Sequence, residues 1–263
     1  MGPLEQLPSS IEELLEELGG VTMFSIGDFA ITTYTFWTIV AFIVLLAIIL
    51  VAKRNMTLVP GKFQNAIEYV VEFVRRDRCD SIIGHGSEKH LNLLLTIFFF
   101  IIVCNIIGII PGCKPGTGTI GTTFAIALVA FIYFNWQGIK AQGFGHYVLS
   151  LAPKGLAKPV AVLVWCIELL SLFLRLVTLA IRLFANLYAG HIVLGTFALL
   201  TNLFVAPVIQ AFSAGALATA SASIVWIALL VAMWAMEILV ACIQAYVFTL
   251  LTAVYISLAT SEH

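Results

Sequence analysis

The sequence predicts an all-α integral membrane protein with about five transmembrane helices, an amphipathic surface helix, and two final helices that are long and steeply tilted. Three observations predict this class. Hydrophobic residues make up 61% of the 263 residues, and charged residues only 10%, against about a quarter in soluble domains. Several apolar runs reach the length of about 20 residues that spans a bilayer. The last apolar stretches are far longer than one span. We treat residues 1–263 as one membrane domain.

For the first part of the chain the sequence predicts a tail, a transmembrane span and a surface helix. Residues 1–30 form a tail that is acidic and contains no Lys or Arg. Residues 31–52 are an uninterrupted apolar run, which Lys53 and Arg54 end. In residues 60–80, apolar side chains recur at helical spacing and charged side chains occupy the other face. That pattern is typical of an amphipathic helix at a membrane surface.

Two further spans follow, at residues 91–111 and 119–137. The loop between residues 53 and 89 contains seven Lys or Arg, whereas the amino-terminal tail contains none. Because basic loops remain inside, the tail should face outside. Five crossings then place the carboxyl terminus inside.

The last two apolar segments, residues 159–205 and 207–260, are too long to stand upright in a bilayer. A helix over residues 159–204 would extend about 69 Å at 1.5 Å per residue, whereas the hydrocarbon core is about 30 Å thick. Either the segment folds back near residues 186–190 or it lies steeply tilted. A lone Gly190 is a weak turn signal, so the sequence favours a tilted helix.

Only four charged residues occur between residues 159 and 261: Glu168, Arg175, Arg182 and Glu237. An arginine inside the bilayer costs roughly 2.5–3.5 kcal/mol on insertion scales, and such residues mark ion paths. Arginine keeps its proton near neutral pH, so it is a poor relay but a good fixed charge. The other interpretation is a structural ion pair of Arg182 with Glu168 or Glu237.

Polar side chains extend to both sides of Arg182 along the last two segments: Glu168, Arg175, Asn186, His191, Glu237 and Gln244. Asn186 lies one turn after Arg182 on the same helix face. Glu168 lies 14 residues before Arg182, about 21 Å along a helix. This pattern indicates two aqueous half-paths separated by a charge. Hydrogen bonding between helices is the alternative role of Asn186 and Gln244, and packing is that of His191.

Other classes of site find little support in the sequence. A net charge of −1 gives no basic surface for nucleic acid. The sequence also shows no nucleotide loop, metal cluster or nucleophile triad. We therefore expect no cofactor, no metal and no catalytic residue.

Three motifs resemble those of one family. The segment Arg182-Leu-Phe-Ala-Asn-Leu-Tyr-Ala-Gly-His191 resembles the signature of subunit a of F-type ATP synthases. The run from Gln244 to Tyr255 resembles the last helix of that family, and Cys104-Asn-Ile-Ile-Gly-Ile-Ile-Pro111 its earlier asparagine-containing span. The resemblance covers the chain from about Thr32 to His263.

The resemblance implies a stator beside a rotating ring of c subunits, with two helices steeply tilted against the ring. Arg182 would be the essential arginine that faces the ring carboxylates. The inlet half-channel would contain Asn105, Asn186, His191, Glu237 and Gln244. Glu168 would belong to the outlet side, with Arg175 near it. The implied partners are the c ring, the peripheral-stalk b subunits, the rest of the synthase and the lipid bilayer.

Two variations from the family pattern matter. Some family members have Glu and His where this chain has His191 and Glu237, so we expect these two side chains to lie close together. A proline often follows the position of Arg175 in the family, but here the residue is Leu176.

The resemblance implies a non-catalytic proton-channel subunit of a proton-transporting ATP synthase. The alternatives are a proton-coupled secondary transporter, which would need inverted repeats or broken helices, and a non-conducting membrane scaffold. The acidic start and the loop from Trp136 to Phe144 favour a bacterial plasma (inner) membrane. A mitochondrial inner membrane is the other possibility.

Overall fold

The computed structural model describes residues 22–26, 29–54, 61–76, 82–83, 87–110, 112–150, 158–210 and 214–260. Within these ranges the chain contains seven α-helices: α1 (Thr33–Arg54), α2 (Lys62–Val74), α3 (Glu88–Ile109), α4 (Ile120–Gln142), α5 (Phe144–Ser150), α6 (Lys158–Gln210) and α7 (Ala214–Thr260). Five of them, α1, α3, α4, α6 and α7, are long and apolar enough to cross a membrane. The predicted fold class is confirmed: an all-helical membrane protein with two long helices at its end.

The helix α6 is continuous through residues 186–190, where the sequence allowed either a fold-back or one steeply tilted helix. It contains 53 residues, and α7 contains 47, which correspond to about 80 Å and 70 Å. No fold-back occurs at residues 186–190, because all five residues are helical. An uninterrupted apolar helix satisfies all its backbone hydrogen bonds internally, whereas a turn there would leave several unsatisfied in hydrocarbon.

A short antiparallel hairpin precedes α1, which the sequence had not predicted. Strands β1 (Thr22–Ile26) and β2 (Phe29–Thr32) pair with Thr22 opposite Thr32. The two residues between the strands in the sequence are Gly27 and Asp28, types that favour hairpin turns. The alternation of apolar and polar residues in so short a segment was too weak to stand out beside an apolar span.

The core lies where α3, α4, α6 and α7 pack together. Its largest fully buried side chains are Leu94, Ile101, Phe134, Leu183, Phe248 and Ile256. α1 packs on the outside of α3 through a small cluster that includes Ala41, Leu45 and Cys104. The surface helix α2 rests against α3 and α1. Much of the remaining apolar surface on α1, α6 and α7 is exposed, as expected for helices that face lipid or a partner.

A turn of 3₁₀-helix at Gly116–Gly118, between α3 and α4, is buried in the bundle. We call it the outer turn, after the side on which the sequence places it. It contacts α1, α3, α4 and α6. The Thr38 hydroxyl donates a 3.3 Å hydrogen bond to the Gly116 carbonyl, which attaches the turn to α1.

Ile256→Ala should destabilise the bundle, whereas Ile243→Ala on the same helix should not. Ile256 is fully buried and Ile243 is 50% exposed. We expect a loss of about 2 kcal/mol, near the lower end for core Ile→Ala changes, because in detergent the unfolded side chain still rests in apolar surroundings. The control should change the free energy of unfolding by less than about 0.5 kcal/mol. Denaturant unfolding of both purified variants measures the difference, and equal stabilities would contradict this core assignment.

Candidate functional site

Arg182 lies on the outer surface of α6 with an exposed side chain. It makes no ion pair or hydrogen bond with any residue that the structure describes. The neighbouring Ile181 is also exposed, whereas Leu183 is fully buried in the core. The guanidinium therefore lies at the edge of α6, between its exposed face and its buried face. The structural ion pairs with Glu168 or Glu237, which the sequence left possible, do not form.

Glu168 is instead paired with Arg175, two helical turns further along α6. Arg175 Nη2 donates to Glu168 Oε1 at 3.0 Å, and both side chains are partly buried. The guanidinium also lies over the ring of Tyr255 on α7, 5.4 Å from its centroid, a cation–π geometry. The carboxylate of Glu168 is thus held by a positive charge that is not Arg182.

Tyr147 of α5 adds a further group beside this pair. Its hydroxyl donates to Asn135 Oδ1 at 2.9 Å. Burial raises the pKa of the Tyr147 phenol above its ordinary value, and the nearby positive charge of Arg175 opposes that shift. The ring packs against Gly138, where any side chain would overlap it. Arg175 is therefore enclosed by groups from three helices.

On the other side of Arg182 along α6, Asn186 reaches α7. Asn186 Nδ2 donates to Gln244 Oε1 at 3.5 Å. Gln244 is 6% exposed, and its Nε2 has no hydrogen-bond partner among the residues described. Because Asn186 is one turn from Arg182, this amide pair lies next to the arginine. A buried amide donor therefore remains available there.

Glu237 occupies a space that Gly190 leaves open between α6 and α7. The carboxyl group lies directly against Gly190, so a Cβ at that position would overlap it. Glu237 is 8% exposed, and it makes no hydrogen bond with the described residues. It lines a cavity of about 190 Å³, together with Asn186 and Met233. Its volume exceeds the roughly 10–15 Å³ that a single water molecule needs, and Asn186 and Glu237 supply polar groups in an otherwise apolar lining.

Asn105 of α3 completes this group from a third helix. It is fully buried. The Thr117 hydroxyl donates to Asn105 Oδ1 at 2.9 Å, and Asn105 Nδ2 donates to the Ala241 carbonyl at 3.5 Å. Ala241 lies between Glu237 and Gln244 on α7, one turn from each.

His191 is half-buried and follows Gly190 on α6. The positive charge of Lys114, in the loop before the outer turn, lies within electrostatic range of its ring. Because Gly190 contacts Glu237, His191 and Glu237 lie at the same level of the α6–α7 contact.

The structure therefore places the eight residues in three positions. The groups near the α3–α6–α7 contact are Asn105, Asn186, His191, Glu237 and Gln244. Glu168 and Arg175 form a separate pair in the preceding part of α6. Arg182 lies between the two groups on α6. A fixed charge thus separates two sets of polar side chains.

Four residues that contact these groups were not selected from the sequence: Thr117, Tyr147, Gly190 and Tyr255. Gly190 and Tyr255 lie inside motifs that the sequence analysis quoted, so their signal was present but gave no role. Thr117 is flanked by two glycines, a weak sign of close packing. Tyr147 showed no signal, because its partners Asn135 and Arg175 are far apart in sequence.

Comparison with known proteins identifies the family. A family model described as ATP synthase A chain matches residues 35–257. The chain belongs to the ATP synthase A chain family. It is 34% identical over 241 residues to ATP synthase subunit a of Chlorobium phaeobacteroides, which covers 89% of this chain and 66% of that protein. It is 32% identical over 264 residues to ATP synthase subunit a of Ehrlichia chaffeensis, which covers 99% and 98% respectively.

A third member of the ATP synthase A chain family, ATP synthase subunit a of Wolbachia pipientis, is 32% identical over 233 residues, with 88% and 89% covered. The chain spans just under two thirds of the length of the Chlorobium phaeobacteroides relative. The family match includes all eight residues discussed above.

Gly190→Ala should impair proton-driven ATP synthesis by the assembled complex, because the new methyl group displaces the Glu237 carboxyl. Displacements of about 1 Å can reduce a rate by about a hundredfold, so we expect a loss of about ten- to a hundredfold. Synthesis in energised membrane vesicles measures it. Adding Glu237→Asp, which shortens the side chain by one methylene, should restore part of the rate.

The control for this prediction is Gly121→Ala on α4, since nothing lies within 4 Å of a Cβ there. It should leave synthesis unchanged. Unimpaired synthesis in Gly190→Ala membranes would show that the position of the Glu237 carboxyl does not matter.

Proposed function

We propose that this chain is the proton-conducting stator subunit of an F-type ATP synthase. It forms two aqueous half-channels against the ring of c subunits and couples proton flow to ring rotation and ATP synthesis. The observation that carries this proposal is the exposed guanidinium of Arg182, which pairs with no described residue and lies between two separate polar groups along α6.

The inlet half-channel is the group at the α3–α6–α7 contact. A proton from the outside passes the side chains of Asn105, Asn186, His191, Glu237 and Gln244. It neutralises a ring carboxylate, which can then move into lipid at low cost because it carries no charge. The cavity beside Glu237 offers room, and Gln244 Nε2, which has no partner among the described residues, offers a donor next to Asn186; both support this assignment.

The outlet half-channel begins on the other side of Arg182. After nearly a full turn of the ring, the protonated carboxylate approaches Arg182 from the Glu168 side. The positive charge of Arg182 favours the ionised carboxylate, and the released proton leaves towards Glu168. Arg175 holds the Glu168 carboxylate in place for this step. Each elementary charge that crosses 100 mV is worth about 2.3 kcal/mol, so several must combine for each ATP.

Arg182 separates the half-channels because it cannot act as a relay. A proton that passed directly from Glu237 to Glu168 would bypass the ring and do no work. A guanidinium does not release its proton near neutral pH, and its charge repels a hopping hydronium. The two carboxylates also lie at different levels of the α6–α7 contact, because Glu168 pairs with Arg175 on α6 whereas Glu237 of α7 contacts Gly190.

The partners and location follow from this role. We propose that the chain contacts the c ring through the exposed faces of α6 and α7, and that it assembles with peripheral-stalk b subunits and the remainder of the synthase in a lipid bilayer. Catalysis on the nucleotide takes place on other subunits. The relatives named above are bacterial proteins, which supports the plasma (inner) membrane of a bacterium over a mitochondrial inner membrane.

A proton-coupled secondary transporter receives less support. Such proteins use pairs of discontinuous helices at the midplane. Here the two helices that carry the polar groups, α6 and α7, are uninterrupted over 53 and 47 residues.

Arg182→Ala should abolish proton-driven ATP synthesis while the protein remains inserted and assembled. Loss of a full charge that acts on the ring carboxylate should reduce the rate by at least about a hundredfold, which corresponds to about 2.7 kcal/mol. ATP synthesis in vesicles energised by an imposed proton gradient measures this, with the amount of assembled complex quantified in the same membranes.

Arg76→Ala is the matched control, because Arg76 is an exposed arginine of the surface segment that pairs with Glu72. An exposed pair of this kind contributes little, so synthesis should be normal. Normal synthesis in the Arg182→Ala membranes would rule out the proposed role of the arginine.

A further inference from the structure

The outer turn fits into the bundle because of its two glycines. A Cβ on Gly116 would lie 2.7 Å from Thr38 Oγ1, and one on Gly118 would lie 2.8 Å from Tyr34 Cε1. Both positions therefore exclude a side chain, and the backbone of the turn approaches α1 closely. Thr117, between the two glycines, is fully buried. The geometry thus presents one hydroxyl group to the interior.

The Thr117 hydroxyl begins a chain of two hydrogen bonds that ends on α7. Thr117 Oγ1 donates to Asn105 Oδ1 at 2.9 Å, and Asn105 Nδ2 donates to the Ala241 carbonyl at 3.5 Å. Ala241 is four residues after Glu237 and three before Gln244. The outer turn, α3 and the polar segment of α7 are therefore joined through one amide.

This chain fixes which end of the Asn105 amide faces α7. An asparagine side chain accepts at one end and donates at the other. When the hydroxyl donates to Oδ1, the amino group must face the Ala241 carbonyl. Without the hydroxyl, Oδ1 becomes a buried acceptor with no partner, which is costly. Rotation of the amide would then also break the bond to α7.

We propose that Thr117 is a positioning residue of the inlet half-channel. Its hydroxyl orients the Asn105 amide and so keeps the outer turn and α3 in register with the segment of α7 that carries Glu237 and Gln244. The role is indirect, because Thr117 acts on the proton path through Asn105. This inference rests on the proposed function, since it assumes that the group at the α3–α6–α7 contact takes up protons.

The experiment compares two substitutions of nearly equal volume, Thr117→Ser and Thr117→Cys, in the complete synthase. Serine keeps a strong hydroxyl donor, whereas a thiol is a weak donor. Proton-driven ATP synthesis per assembled complex should remain within about twofold of wild type for the serine variant. It should fall about five- to tenfold for the cysteine variant, the effect of one neutral hydrogen bond and its orphaned partner. Equal rates for the two variants would overturn the proposal.

Thr123→Cys is the matched control. Thr123 is a fully buried threonine on α4 whose hydroxyl donates, among the described residues, to the backbone carbonyls of Thr119 and Ile120 and to no side chain. Thr123→Cys makes the same exchange of a hydroxyl for a thiol in an equally buried position, but away from Asn105. It should leave the rate of ATP synthesis within about twofold of wild type. A loss as large as that of Thr117→Cys would mean that the effect is general to buried thiols, and would overturn the proposal.

A double-mutant cycle tests whether Thr117 acts through Asn105. If it does, Thr117→Cys should cause no further loss in an Asn105→Ala background, because coupled residues are not additive. If instead the losses of the two single variants multiply in the double variant, the indirect role of Thr117 is overturned.

Arg182→Ala membranes prepared in parallel separate the inference about Thr117 from the proposed function. If Arg182→Ala abolishes synthesis while Thr117→Ser and Thr117→Cys are equal, only the inference about Thr117 fails. If Arg182→Ala synthesises normally, the proposed function fails.

Discussion

The permanent charge of Arg182 is the constraint on which the rest of the arrangement depends. A guanidinium in an apolar helix is unfavourable unless a partner or water compensates it. Within the described part of the chain no carboxylate does so, although Glu168 and Glu237 occur in the same two helices. Under the proposed function, the compensating group comes from another subunit. A ring carboxylate that approaches the exposed face of α6 meets that requirement.

The packing of α6 and α7 keeps the two carboxylates of the chain away from the arginine. Arg175 and the Tyr255 ring hold Glu168 at one level of α6. The gap at Gly190 accommodates Glu237 at another. Continuity of α6 matters here, because one rigid helix fixes the spacing of both groups relative to Arg182. Under the proposed function, each half-channel thus has its own carboxylate, and the group between them is a guanidinium that keeps its proton near neutral pH.

Sequence reasoning recovered the features that depend on local spacing. Helix length, the amphipathic helix and the shared face of Arg182 and Asn186 all follow from the 3.6-residue period and from hydrophobicity. Contacts between helices were not accessible in this way. Asn105 and Ala241 lie 136 residues apart, and Asn186 and Gln244 lie 58 apart. Such contacts depend on how the ridges and gaps of the helices fit together, which a single sequence does not specify.

The same limit applies to the pairing of the charges. The sequence allowed Arg182 to pair with Glu168, to pair with Glu237, or to remain a fixed charge without a partner in the chain, and only the packing of the helices decides between these. Arg175 faces Glu168 because both lie on the side of α6 near α7 and α5, where Tyr255 and Tyr147 also lie. The resemblance to a family supplied roles for these residues. The geometry shows which of them touch.

The most direct test of this account is whether the face of α6 around Arg182 lies against the c ring. In the complete synthase with native cysteines replaced, Ile181→Cys and Leu183→Cys would each be oxidised with a cysteine beside the ring carboxylate. Ile181 is 47% exposed and Leu183 is fully buried, although both are next to Arg182. The account predicts a cross-link to the ring subunit from position 181 and none from position 183. A cross-link from neither position, or from position 183 alone, would contradict it.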